Sequence, residues 1–429
     1  MDSAFKVAEE YSQQLDLQDP LSGYRLKFHI PPNTIYMDGN SLGLLAKNSE
    51  DCVLRALNEW KTLGIQGWLN ADLPWFHMAE ELGAQCAQIV GALPTEVVAT
   101  GTTTVNIHSL VNTFYQPDDL RTKILGDELN FPSDIYALTS AVKLRGLDPN
   151  KNLILAPSRD GRTLDEKQIV ELMTDDVALV FLPSVLYRSG QLLDMKTLTE
   201  QAHRRGIPIG FDCSHSVGAI PHFFDEWQVD FALWCSYKYL NGGPGGTAFL
   251  YVNENHFTVE PALAGWFGHV KERQFDMAPN FEHARSAGGW QISSPAILSS
   301  VPLEGSLKII LEAGIQAIRR KSLTMTSYLM FLIDELLSED PYNYAVGTPR
   351  EAKRRGGHVA IEHEEGSRIS EALRVRNVIP DFRPPNIVRI APSPLYSTYN
   401  EVWRVVQHLK EIIDSKEYER FSKGRKLIS

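Results

Sequence analysis

Between residues 95 and 255 of this chain, short apolar runs rich in β-branched residues alternate with longer stretches of mixed polarity. The runs are VVAT (97–100), KILG (123–126), LILA (153–156), VALVFL (177–182), IPIGF (207–211), FALWC (231–235) and TAFLYV (247–252). Runs this short and this continuously apolar read as strands buried on both faces, separated by enough chain for crossover helices. The pattern predicts an α/β fold with a mostly parallel central sheet covered by helices on both sides. Beyond about residue 300 the texture changes. One long helical stretch near 304–336 is followed by HVAIEH (358–363), NIVRIAP (386–392) and a last helix. On that helix Val402, Val405, Val406, Leu409, Ile412 and Ile413 share a face, and Thr398 with Glu401 forms a capping box. These elements predict a smaller α+β domain. The division expected is an N-terminal segment 1–48 packing with the small domain, a large domain 49–297 and a C-terminal domain 298–429.

Composition narrows the function classes. Of the 429 residues 43% are hydrophobic and 22% charged, enough for two buried cores. Lys and Arg number 42 against 53 Asp and Glu, a net charge of −11, which excludes an overall basic footprint for nucleic acid or an anionic membrane. Small molecules or a second copy of the chain are the expected partners. The cysteines, Cys52, Cys86, Cys213 and Cys235, are widely spaced with no C-x-x-C pair, so neither a zinc site nor a disulfide scaffold is expected, and a reducing cytoplasm fits. The N-terminal MDSAFKVAEEYSQQLD carries acidic residues and no apolar core, and is expected to be neither a secretory signal nor a membrane anchor.

The candidate chemistry gathers at strand ends. Lys238 lies in SYKYLNGGPGG (236–246), just after the run FALWC. Alone it would be a surface lysine before a flexible loop. Asp212 ends the run IPIGF, and open α/β sheets bind ligands at the carboxyl ends of their strands. GTTTVNIHSLVNTFY (101–115) turns through Gly101 into a helix whose first residues include Thr103 and Thr104, an arrangement that suits a phosphate. Such a helix start is otherwise just a cap. FPSD (131–134) follows the run KILG, and Phe131 there can stack on a flat ring, or else is plain core. A lysine, a carboxylate, a hydroxyl-rich helix start and an aromatic ring are together what a pyridoxal 5′-phosphate (PLP) site requires: the lysine carries the cofactor and the carboxylate keeps its pyridine nitrogen protonated.

These residues sit inside longer stretches that resemble the kynureninase family over most of the chain: DGNSLGLL (38–45), TVNIH (104–108), FPSD (131–134), YRSGQ (187–191), GFDCSHSVGA (210–219), VDFALWCSYKYLNGGPGG (229–246), GWFGH (265–269) and VRIAPSPLY (388–396). The resemblance implies the PLP-dependent transferase fold of type I, and hydrolysis of L-kynurenine or its 3-hydroxy form to an anthranilate and L-alanine in tryptophan catabolism. It implies that Lys238 holds PLP as a Schiff base and takes the α-proton, that Asp212 pairs with the pyridine nitrogen, and that Tyr237 contacts the phosphate and moves a proton late in the cycle. Further cofactor contacts are implied at Thr103, Thr104, Phe131, Pro132, Ser133, Asp134, Ser184, His215, Trp266 and Ser294. Arg389 would hold the substrate carboxylate through paired N–H bonds, with Trp68 and Ser293 also on the substrate. Trp266 matches a tryptophan that reaches the site from the neighbouring subunit, implying a homodimer with shared active sites.

The chain departs from the family pattern in places. Pro183, with no N–H donor, stands where a Ser or Thr commonly follows the central strand, and Ser184 comes next. Ser294 replaces an Asn or Thr, and Cys213 with Ser214 replace small apolar residues. The stretch GIQGWLNADLPW (64–75) has Trp68 and Asn70 but no histidine, which resembles the bacterial members that prefer kynurenine itself. Two alternatives stand beside this reading. One is another reaction on the same fold, a cysteine desulfurase or class V aminotransferase. Against a desulfurase, Tyr237 rather than His precedes Lys238, and all four cysteines lie before residue 236. The other is a non-catalytic PLP-binding protein, which has no need to keep Lys238, Asp212 and Arg389 together.

Overall fold

A computed structural model describes residues 5–422; residues 1–4 and 423–429, the outer ends of the terminal segments named above, lie outside it. All seven apolar runs form strands of one sheet. Across it the strands lie in the order Val97–Ala99, Phe249–Val252, Phe231–Trp234, Ile209–Asp212, Val177–Pro183, Lys123–Asp127 and Leu153–Ala156. Six of them run in one direction, and Phe249–Val252 alone is reversed, antiparallel to both its neighbours. Alternate strand residues point to opposite faces. Leu125, Val180, Leu182, Phe211 and Trp234 join one core, while Ile124, Leu179, Phe181, Phe231 and Leu233 join the core on the other face. Burial on both sides is the physical reason these strands read as unbroken apolar runs.

The expected helix 304–336 is instead two helices, Pro302–Ala313 and Ile315–Leu337. Gly314 between them has φ of +76°, a conformation that ends a helix and that glycine adopts without a Cβ penalty. The first of these helices, assigned from sequence to the C-terminal domain, packs Leu303, Leu307, Ile309 and Ile310 into the large core, and Ile318 at the start of the second follows them. From Met325 onward the second helix belongs to a separate core shared with Val359, Ile361, Val388, Ile390 and the apolar face of the helix Tyr399–Asp414. That core lies against a four-stranded antiparallel sheet containing Val359–Glu362, Asp381–Arg383 and Ile387–Ile390. The Thr398/Glu401 capping box is present. The N-terminal helix Glu9–Leu17 docks on the same unit, where Asp16 accepts the N–H groups of Tyr399 and Asn400 at 2.6 and 3.0 Å. Among the described residues no helix is long and apolar enough to cross a membrane.

Candidate active site

The loops that leave the carboxyl ends of the central strands meet the small sheet around a cavity of about 270 Å³. Its lining includes Thr103, Thr104, Phe131, Ser133, Asp212, His215, Tyr237, Lys238 and Arg389, nine of the residues named from the sequence. Strand pairing explains the central group. Asp212 lies opposite Leu233 on the adjacent parallel strand, so the chain that continues past Trp234 delivers Tyr237 and Lys238 beside the Asp212 carboxylate. Asp212 is held in place by the Ser214 N–H, 2.8 Å from Oδ1.

Lys238 Nζ is 2.9 Å from His215 Nε2. Burial drives the His215 pKa well below its ordinary 6.5, and the charges of Lys238 and Arg389 push it further the same way. The imidazole is therefore neutral, Nε2 accepts from the lysine, and the buried Nδ1 is left without a partner. A second carboxylate, Asp134, is fully buried next to Ser133 and does not itself line the cavity. Burial raises its pKa far above the ordinary carboxylate range, and the nearby Asp212 charge adds to the effect. Its Oδ2 is also unpartnered.

The opposite wall is built by two turns. Gly101, at φ of +61°, turns the strand Val97–Ala99 into the helix Thr103–Phe114. A Cβ there would collide with Asn106 Oδ1, whose own amide ties the turn to the Thr100 carbonyl at 2.9 Å. The freed N–H groups at this helix start, with the Thr103 and Thr104 hydroxyls, can hold a phosphate. In FPSD, Pro132 opens the helix Pro132–Leu144 and leaves the Phe131 ring half-exposed at the cavity, edge-on to Tyr187 at 5.2 Å. Arg389 closes the far end: it is 1% exposed, and its guanidinium binds Asp381, the Tyr187 carbonyl at 2.6 Å and Ser41 Oγ at 3.1 Å.

Not every expected residue reaches this cavity. Ser184 is buried with its hydroxyl bonded to Ser216 Oγ at 2.7 Å and to the Asp212 carbonyl at 3.1 Å. Pro132 shapes the helix start without lining the cavity, and Ser293 lines neither this cavity nor the next. Trp68, Trp266 and Ser294 lie together in a second cavity of about 610 Å³, with Phe76, Phe267 and Phe275. Conversely, Asn40, Ser41, Tyr187, Ser214 and Arg383 line the Lys238 cavity without having been expected at the site. All but Arg383 lie in stretches that carry the family resemblance, and that was the available signal.

A lysine amine, two carboxylates, a helix-start anion site and a ring-sized aromatic wall fit PLP, and the unpartnered His215 Nδ1 and Asp134 Oδ2 are buried polar atoms that such a polar ring can engage. The fold agrees. A cysteine desulfurase from Thermococcus onnurineus superposes with a TM-score of 0.75 at 19% identity, covering 92% of this chain and 98% of that one. A mutant of C-DES with glycine covalently linked to its PLP cofactor superposes with a TM-score of 0.77 at 15% identity, covering 90% and 98%. At such identities the likeness carries the fold alone. The fold is thus the one these enzymes share, and the cavity lining is of the kind that holds PLP.

Sequence comparison narrows the class. The kynureninase of Geobacillus thermodenitrificans is 55% identical over 427 residues, covering 100% of this chain and 99% of the relative. Those of Bacillus anthracis and Shouchella clausii are 52% and 51% identical, with coverage of 99% and 98% on both sides. The profile of the kynureninase C-terminal domain matches residues 318–409. The chain belongs to the kynureninase family.

Proposed function

We propose that this protein hydrolyses L-kynurenine to anthranilate and L-alanine, with the 3-hydroxy form as a poorer substrate. The observation that carries the reading is Lys238 Nζ at 2.9 Å from neutral His215, in one cavity with Asp212 and Arg389. Bound PLP supplies the electron sink for the substrate α-carbon. Lys238 attaches the cofactor and then, as a free amine, removes the α-proton. Neutral His215 accepts a hydrogen bond from Lys238 and so orients it. Asp212 would pair with the pyridine nitrogen, and Thr103, Thr104 and Ser133 would hold the phosphate. Arg389 holds the substrate carboxylate. Water adds to the γ-carbonyl, the Cβ–Cγ bond breaks to release the carboxylate of anthranilate, Cβ takes a proton, and the proton removed by Lys238 returns to the α-carbon as alanine forms. Tyr237, which lines the same cavity, is the donor we assign to Cβ: burial raises its hydroxyl pKa, with Cys235 adding, so the phenol keeps its proton until it is needed.

Ser184 and Ser293 are left out of this assignment. The hydroxyl of the first is committed to Ser216, and the second lines neither cavity. Trp266 and Phe275, 41% and 72% exposed at the second cavity, support a homodimer in which Trp266 of one protomer completes its partner's site. The same cavity brings Trp68 beside Phe267 at 5.8 Å, and among the described residues none of its lining side chains is a histidine, in keeping with preference for the unhydroxylated ring. The four unpaired thiols accord with a reducing, cytoplasmic setting. The test is the visible spectrum of the purified protein during addition of L-kynurenine, with products identified by mass spectrometry. Anthranilate and alanine in equal amounts are expected. A cofactor band without these products assigns another amino acid, and absence of the band defeats the reading.

A further inference from the structure

We infer that Arg383 is a second anchor for the substrate carboxylate, an inference that rests on the proposed reading of the site. The small sheet places it. Asp381 lies opposite Arg389 in an antiparallel pair, and Arg383 is two residues along the same strand, so all three side chains leave the same face. That face closes the Lys238 cavity, and both arginines line it.

The two guanidinium groups are differently engaged. Arg389 is fully buried, and every nitrogen has a protein partner: Nε and Nη2 on Asp381, Nη2 also on Ser41 Oγ at 3.1 Å, and Nη1 on the Tyr187 carbonyl at 2.6 Å. A guanidinium has only five N–H bonds, so a single Nη1 hydrogen stays free, too few for a bidentate grip on a carboxylate. Arg383 is the converse. Its Nε is 3.0 Å from Asp381 Oδ2, but no hydrogen bond of its side chain is formed among the described residues, and the buried Nε is unaligned. Its side chain is 27% exposed. Asp381 contacts both guanidinium groups and Asp38 also acts on Arg389, so the charge of Arg383 is the less compensated of the two at the cavity wall. Arg389 thus meets one carboxylate oxygen with its free Nη1 hydrogen, and Arg383 meets the other with its open Nη edge.

The experiment uses the holoenzyme and compares L-alanine with L-alaninamide as ligands, read from the displacement of the visible cofactor band. Wild type should favour the carboxylate ligand. Arg383→Gln should cut that preference by on the order of 10- to 100-fold, the range for a charge-assisted hydrogen bond, and raise KM for L-kynurenine more than it lowers kcat. Arg383→Lys should recover part of the preference by restoring the charge, and supplies the same comparison if the glutamine variant does not fold. An unchanged alanine-to-alaninamide ratio in either variant overturns the proposal. So does a fall in kcat at constant KM, which would place Arg383 at the ketone. Failure of wild type to release anthranilate and alanine would instead refute the parent reading, independently of this ratio.

Discussion

Gly43 supports the reactive lysine from behind, and replacing it with alanine should damage catalysis more than binding of the cofactor. The Gly43 N–H donates to the Tyr237 carbonyl at 2.7 Å, which holds DGNSLG flat against the segment that carries Tyr237 and Lys238. A Cβ at this position would collide with the Lys238 carbonyl and Asn241 Oδ1, and would lie 2.8 Å from Asn241 Cγ, where ordinary contact begins at 3.4 Å. Backbone stands on the other side of the clash, so no side-chain rotation relieves it. Either DGNSLG retreats, breaking the bond to Tyr237, or the Lys238 segment shifts by about 1 Å, a misplacement that costs roughly 100-fold in rate where reacting groups must align. Overpacking of this kind costs about 1–3 kcal/mol of stability, which leaves a protein of this size folded. The assay is kcat/KM for L-kynurenine beside the visible cofactor band and the melting temperature. A fall of about 100-fold with the band retained is expected. Wild-type turnover in a Gly43→Ala protein would show that this contact does not position Lys238.

Three further outcomes follow from the geometry. Asp230 accepts from His203 Nε2 at 2.9 Å, His256 Nε2 at 2.7 Å and the Ile209 N–H at 2.8 Å. Asp230→Ala should therefore cost about 2–4 kcal/mol in denaturant unfolding, because a buried donor and two imidazoles lose their acceptor. Burial alone would raise the Asp230 pKa, but these bonds lower it below 3.8, so its stabilisation is present above that value and fades as pH falls through the lower folded one; the same carboxylate raises His203 above 6.5, so that part is full below 6.5 and fades as pH rises. The deficit of the variant should be greatest between these two values, and a deficit independent of pH would refute the linkage. Arg389→Ala should raise KM for L-kynurenine on the order of 10- to 100-fold with the cofactor band intact, and a parallel loss of cofactor in titration would argue for a structural role. If Trp266 completes the partner's site as proposed, Trp266→Ala and Lys238→Ala proteins unfolded and refolded together should regain activity, because a mixed dimer would have one site with both residues; no gain on mixing would show that the site is not shared.

The alternation of apolar runs with longer amphipathic stretches was enough to read the α/β class and all seven central strands, because strands buried on both faces leave no polar position to interrupt the run. Helix length was less legible. The helical pattern near 304–336 continues across Gly314, and only the positive φ there, with the passage of packing from one core to the other, shows two helices. Lys238, Asp212 and Phe131 could be picked out because each follows a strand end, where chain connectivity itself forces proximity to the ligand crevice. Local sequence carried no such information for Ser184, whose hydroxyl could face cofactor or core. Tertiary packing decided for the core by placing Ser216 2.7 Å away. The same limit hid Arg383: in PDFRPP it reads as a surface arginine. Its place in the cavity wall arises only when an antiparallel pairing far along the chain from the central sheet sets it beside Arg389 and Asp381 and brings that face to the Lys238 cavity. Which residues share a strand follows from short-range pattern. Which strands share a cavity depends on long-range contacts that short-range pattern does not encode.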